Sequence, residues 1–436
     1  MKLIFLISFL LIYQTNLRLT ERNPYDYSSY SSVSTNENLS NENVASTSKD
    51  QSAVYITGTN SISDSNITKE SGDSSNIENS EFFGVNAAIL VQGGTLTMNG
   101  GQITTKAKGA NALVATNSGV VTITGTDIIS QGTASSRGLH STYGGTIIAK
   151  KVSISSEGRS CANLATDRGE GTVTCEECTL STKGAGSPLI YSTGVIIVKK
   201  TTGTASGAQA VVVEGKNTAT VSDFSDFKCS ASPNREEVDQ CGVMLYQSMS
   251  GDAFQGTSNF ECVNSNIEIL QSSKYYSTAP MFFITNNNAK IQLTNCTFGF
   301  GSNKFVSLKG TNQWGKSGSN GGEVTLELNN QTIQGDLEVD GISTLTINMI
   351  QSTITGKINT ANTAKKIDIT LDKDSKITIT GNSYCTSITN EDKTGANLVN
   401  GTYTWTIGSK NTNSAKGIYK LNWLLVSLSL IVSILF

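Results

Sequence analysis

The side chains best equipped for chemistry in this sequence are Arg137, His140, Asp167, Arg168 and Glu170. Paired carboxylates, or a carboxylate beside a basic group, are what acid–base cleavage of a polysaccharide requires. His140 is the single histidine of the 436 residues. That nearly excludes catalytic triads and multi-histidine metal centres, and no metal or cofactor is expected. The alternative for these residues is a polar corner in which Arg168 pairs with neighbouring acids.

The 8 cysteines form a second set with chemical potential. Cys175 and Cys178 make a C-x-x-C motif, but strand-like flanks do not suit a redox pair, and no second motif completes a zinc site. An even number in an exported chain points to disulfides. Cys229 and Cys241 bracket a polar loop and are expected to pair. Cys161 with Cys175 or Cys178 is a second expectation.

Short elements repeated many times must position these groups. Leu96, Val121, Ile147, Val173 and Ile196 recur at intervals of 23 to 26 residues. A second ladder runs Ile103, Ile128, Ile154 and Leu180, and a third Leu90, Val114, Leu139, Leu164 and Leu189. Each sits in an alternating segment such as Val121-Thr122-Ile123-Thr124, a strand signature, and no helical period separates the segments. Three ladders at one period predict an all-β, parallel β-helix solenoid with three strands per coil of about 25 residues. The coil spacing could bring His140 and Asp167 within reach on neighbouring rungs, since stacked strands lie about 4.8 Å apart. The β-helix is expected over 53–408, with insertions around 230–322 that carry Tyr275, Tyr276 and Trp314. Insertions in solenoids crowd one face, often the binding face. Residues 21–52, rich in Ser and Asn, read as a flexible lead-in.

Composition agrees with a narrow interior. Apolar residues make up 37% and charged residues 15%, below the usual roughly 45–50% and about 25%. The net charge of −3 offers no basic stripe for nucleic acid. Thr-x-Thr pairs at Thr95/Thr97, Thr122/Thr124 and Thr172/Thr174 raise an ice-binding reading, but Ile148 interrupts the row.

Both ends read as export signals. One lysine followed by an apolar run, Leu3 to Tyr13, within 1–20 matches a secretory signal peptide. Small residues around Asn413 and Ser414, a polar spacer within 409–422 and an apolar tail over 423–436 match a GPI-attachment signal. A short membrane helix is the alternative for the tail. Five N-x-S/T sequons, at Asn38, Asn66, Asn295, Asn330 and Asn400, fit a secreted glycoprotein.

The segments Arg137-Gly138-Leu139-His140-Ser141-Thr142-Tyr143-Gly144-Gly145-Thr146, Asn163-Leu164-Ala165-Thr166-Asp167-Arg168-Gly169, Cys241-Gly242-Val243-Met244-Leu245-Tyr246-Gln247-Ser248 and Leu371-Asp372-Lys373-Asp374 resemble secreted, adhesin-like right-handed β-helix proteins known mainly from bacteria and archaea. The resemblance covers roughly residues 81–400 and implies a pectin-lyase-like fold and an extracellular setting, with no catalytic residues to carry over. The GPI-type tail departs from that pattern, and the N-T-D, D-D, H-G and R-x-K motifs of polygalacturonases are absent. The sequence therefore predicts a GPI-anchored glycoprotein on the outer face of the plasma membrane. It would act as an adhesin, coat protein or glycan-binding surface, with carbohydrate or another cell surface as partner. A surface polysaccharide lyase or glycosidase is the alternative.

Overall fold

A computed structural model describes residues 23–233 and 240–408. The strands assemble into three long sheets of 12, 14 and 10 strands, in which every third strand of the chain is the next neighbour except near the C-terminal end. All pairings are parallel. A parallel ladder visited every third strand is a β-helix with three strands per coil. A four-stranded sheet and a two-stranded one complete the C-terminal end.

The second sheet carries the clearest reason for this fold. Its strands alternate outward Thr, Asn or charged residues with buried apolar ones, as in Thr95–Asn99 and Glu323–Asn329. Val121 lies opposite Ile147, and Ile147 opposite Val173. Each aliphatic side chain therefore rests on its counterpart in the next coil. The third sheet repeats this with Ile103, Ile128, Ile154 and Leu180. Towards the middle of the stack the filling becomes aromatic: the rings of Phe260, Phe282, Phe298 and Phe305 meet edge to face at 5.2–5.6 Å.

The corners have their own logic. Amides there lie beyond the regular strand pairing, and a buried N–H needs an acceptor. A hydroxyl from the next coil supplies it. Thr201 N–H donates to Ser225 Oγ, Ser225 N–H to Ser265 Oγ, and Ser352 N–H to Ser375 Oγ, at 3.0–3.2 Å. The same hydroxyls donate back to the carbonyl two or three residues earlier, as Ser265 does to Val263. A second corner column runs through Ala110, Ser136, Cys161 and Ser187.

This column corrects the disulfide expectations. Cys161 Sγ accepts from Ser136 N–H at 3.2 Å and donates to the Arg159 carbonyl at 3.1 Å, the serine's place in the pattern. Cys178 Sγ likewise donates to the Glu176 carbonyl at the other corner. Neither Cys175 nor Cys178 bonds to Cys161. The expected Cys229–Cys241 bond is also not formed. Cys229 packs in the interior, whereas Cys241 packs with Met244 and Phe283 on the outer side of the first sheet. The bond that is formed joins Cys262 to Cys296, two buried residues on adjacent coils with Cα atoms 6.5 Å apart.

Three further expectations change. Strands Ser32–Thr35, Leu39–Ser40 and Asn43–Ser46 pair with the coil that follows, so the stack already begins inside the segment read as a lead-in. Polar residues there occupy outward positions, and few apolar ones are needed in an end coil. A helix, α1 (Ile77–Phe83), occupies an insertion between two coils. Asn76 caps its start and Gly84, at φ 75°, ends it. Two turns are too few to print a helical period. The third ladder slips by one residue: Leu113, not Val114, lies opposite Leu139, and Ile190, not Leu189, opposite Leu164.

Candidate functional site

That slip marks the face on which the candidate site lies. Strands of the first sheet are buried on both sides, as in Leu113–Thr116, Val211–Glu214, Val243–Tyr246 and Phe282–Thr285. With no polar side, the residues give no period-two signal to set the register. The inner residues join the stacked core. The outer row, Val114, His140, Ala165, Tyr191, Val212, Met244 and Phe283, is covered by insertions.

Helix α1 and two loops, around Ser248–Asp252 and Gln313–Trp314, rise over this outer face and leave a groove of about 480 Å³. Its lining includes Glu81, Arg137, Asp167, Tyr191, Glu214, Met244, Tyr246, Asp252 and Trp314. That volume falls within the range of small-ligand sites, which are concave, largely apolar and fitted with a few placed polar groups. The groove crosses successive strands, so it runs along the stack.

Arg137 organises one end. It is 7% exposed and donates to Asp167 Oδ2 at 2.7 Å, with Glu81 Oε1 at 3.5 Å. Burial works against its charge, but Asp167 and Glu81 more than offset this and hold its pKa above the usual value. For Asp167 burial dominates: against the pull of Arg137, and helped by Glu81, it pushes the carboxyl up to about 7. His140 lies beneath α1 with no exposed surface. Its Nε2 donates to the Glu81 carbonyl at 2.6 Å, and Arg137 Nη1 stands 3.2 Å from the same nitrogen. Burial and then the Arg137 charge lower its pKa to about 3, so the ring stays neutral.

Glu214 organises the other end. It is 1% exposed, and its Oε2 accepts from Tyr191 at 2.5 Å and from Tyr246 at 2.8 Å. Its Oε1 is buried without a hydrogen-bond partner. Burial first, then the Glu214 charge, raises the Tyr191 pKa, so the phenol remains a donor. Trp314 stands against Tyr246 with ring centroids 5.0 Å apart, forming an aromatic wall. Ser192 lies opposite Val213, and Leu164 opposite Ile190. Asp167 and Glu214 therefore hold the same place in the coil two coils apart, roughly 10 Å along the stack.

The five sequence candidates thus divide. Arg137, His140 and Asp167 do come together, but through Arg137, since His140 lies opposite Ala165. Arg168 sits at the rim, donating to Asp252 at 2.9 and 3.1 Å with its guanidinium 3.8 Å from the Phe82 ring centre. It ties α1 to the Ser248–Asp252 loop. Glu170 instead pairs with Lys216 at 2.9 Å and does not line the groove. Of the three insertion aromatics, Trp314 lines the groove, whereas Tyr275 and Tyr276 pack against the main core. Sequence reading missed Glu81, Tyr191, Glu214 and Tyr246. Uninterrupted apolar runs such as Val211-Val212-Val213 ending in Glu214 were the available signal, because a strand buried on both faces marks a covered surface.

Among the sequons, Asn38, Asn66, Asn295 and Asn330 are exposed and Asn400 is half-buried. Asn413 and Ser414, and both terminal signals, lie outside the described residues. No family model, curated protein or solved structure matches this chain.

Proposed function

We propose that this is an extracellular, adhesin-like protein whose groove binds carbohydrate. The observation that carries the reading is the groove itself, where aromatic rings (Tyr191, Tyr246, Trp314) adjoin buried hydrogen-bonding groups (Arg137, Asp167, Glu214). Aromatic rings stack on the C–H faces of sugars, and fixed polar groups select hydroxyl positions. The signal at 1–20, the GPI signal with Asn413 or Ser414 as attachment residue, and the sequons support display on the outer face of the plasma membrane. Among the described residues the groove bears four acids, Glu81, Asp167, Glu214 and Asp252, against one lining arginine. Such a surface repels uronates and accepts neutral or basic glycans.

A glycan array with the secreted ectodomain tests this. We expect binding to a restricted set of oligosaccharides, reduced tenfold or more in Trp314→Ala as a stacking anchor is lost. An array without signal, or binding unchanged by Trp314→Ala, would refute the reading. The hydrolytic alternative is favoured by one observation, the Asp167 carboxyl held up at about 7 with Glu214 two coils away. Separations of roughly 6.5–9.5 Å between carboxyls suit inverting hydrolysis. The Arg137 pair opposes it, because it ties up the oxygen that would deliver the proton. Reducing sugar released by the protein and abolished in Asp167→Ala would establish the enzyme.

A further inference from the structure

We infer that the groove selects ligands carrying a primary ammonium group, with Glu214 Oε1 as its acceptor; this rests on the glycan-binding reading and narrows it to amino sugars. Glu214 is buried, faces the outer side of the first sheet opposite Tyr246, and lines the groove. Two phenols satisfy Oε2 and leave Oε1 without a partner. A buried carboxylate oxygen lacking a donor is a costly arrangement. A neutral sugar hydroxyl would supply one hydrogen bond. An ammonium supplies the bond together with the charge, which roughly doubles its strength.

The surroundings favour the cation independently. Tyr246, with Trp314 against it, stands beside this carboxylate, and the Tyr191 ring already has the Arg137 guanidinium 5.9 Å from its centre. Aromatic groups of this kind attract ammonium ions through their π faces. Arg137 is held by Asp167 and Glu81 and stands over the Tyr191 ring. Among the described residues, no basic side chain bonds to Glu214. An entering ammonium would therefore meet the one groove carboxyl that, among the described residues, no arginine contacts.

The test compares glucosamine tetramers with their N-acetylated counterparts and with neutral glucose tetramers, by titration calorimetry at a pH where the amine is protonated. Acetylation removes the charge from the ligand and leaves the protein untouched. Wild type should bind the amine form about tenfold or more tightly than the acetylated form, the scale of one charge-assisted hydrogen bond. Glu214→Gln should lose that preference and bind the amine and acetylated tetramers alike, with its fold checked by circular dichroism. Equal affinity for amine and acetylated forms, or a preference that survives Glu214→Gln, overturns the inference and leaves the glycan reading standing. Should no oligosaccharide bind, the glycan reading fails, and thermal shift with 2-phenylethylamine decides the ammonium site. Stabilisation of wild type that is absent in Glu214→Gln upholds it; no shift in either protein overturns it.

Discussion

His140 and Asp167 have opposite linkages to pH, although one arginine touches both. The His140 pKa falls from 6.5 to about 3 on folding. Its contribution is present above pH 6.5 and is lost as pH falls towards 3, because the unfolded chain then binds the extra proton. The Asp167 pKa rises from 3.8 to about 7. Its contribution is fully present below 3.8 and is lost as pH rises through 7, because the folded chain binds the extra proton. Between those values one proton is taken up on each side, and the two effects cancel. Asp167→Asn removes one of them, so its stability should fall with acid more steeply than wild type by up to about 1.4 kcal/mol per pH unit. His140→Gln should deviate in the opposite sense. Urea unfolding of the three proteins at several pH values checks this, and parallel curves would refute the shifts. Above pH 7, where Asp167 is ionised, Asp167→Asn should also lower stability, since it leaves the Arg137 charge with only the Glu81 carboxylate at 3.5 Å; breaking a buried pair costs about 3–5 kcal/mol.

At the scale of elements, the thiols follow from the corners. Cys161 occupies a column whose other members are Ser136 and Ser187. We expect Cys161→Ser to change stability by less than about 1 kcal/mol. Cys161→Val should cost about 1–3 kcal/mol, because the Ser136 amide loses its acceptor. Thermal melts of both variants distinguish this from a role in a disulfide, where both would be equally harmful. Burial pushes the Cys161 thiol up to about 11 and those of Cys229 and Cys385 up to about 12. Such thiols should resist alkylation in the native protein and react once it is unfolded. The column could not be read from the chain, because corner residues lack an alternating pattern and a cysteine there resembles any cysteine in an exported protein. The second and third sheets were legible because one face is exposed: Thr-aliphatic alternation fixed Val121 against Ile147 before any geometry was known. The first sheet was legible in existence only. Its covered outer face erases the alternation, so nothing in the sequence sets Val114 opposite His140 or marks Tyr191 and Glu214 as facing a groove.

Over the whole molecule, function depends on how the stack meets its surroundings. The second sheet has 14 strands, so the solenoid is about 60 Å long at about 4.8 Å per strand. The strand Ile190–Ser192, which carries Tyr191 into the groove, is the seventh of 12 in the first sheet. The groove thus opens sideways from mid-stack, roughly 35 Å from the last coil. A chain held to a membrane by its C-terminal end, with its stack standing upright, would lift this groove clear of lipid headgroups, whose fields decay within a Debye length of about 8 Å. Attachment and binding should then be independent. Phosphatidylinositol-specific phospholipase C should release the protein from intact cells, and the released form should bind glycans with the affinity of the secreted ectodomain. Retention after treatment would instead identify the tail as a membrane helix. Release accompanied by a large change in affinity would mean that the membrane contributes to the site, which a groove so far along the stack does not permit.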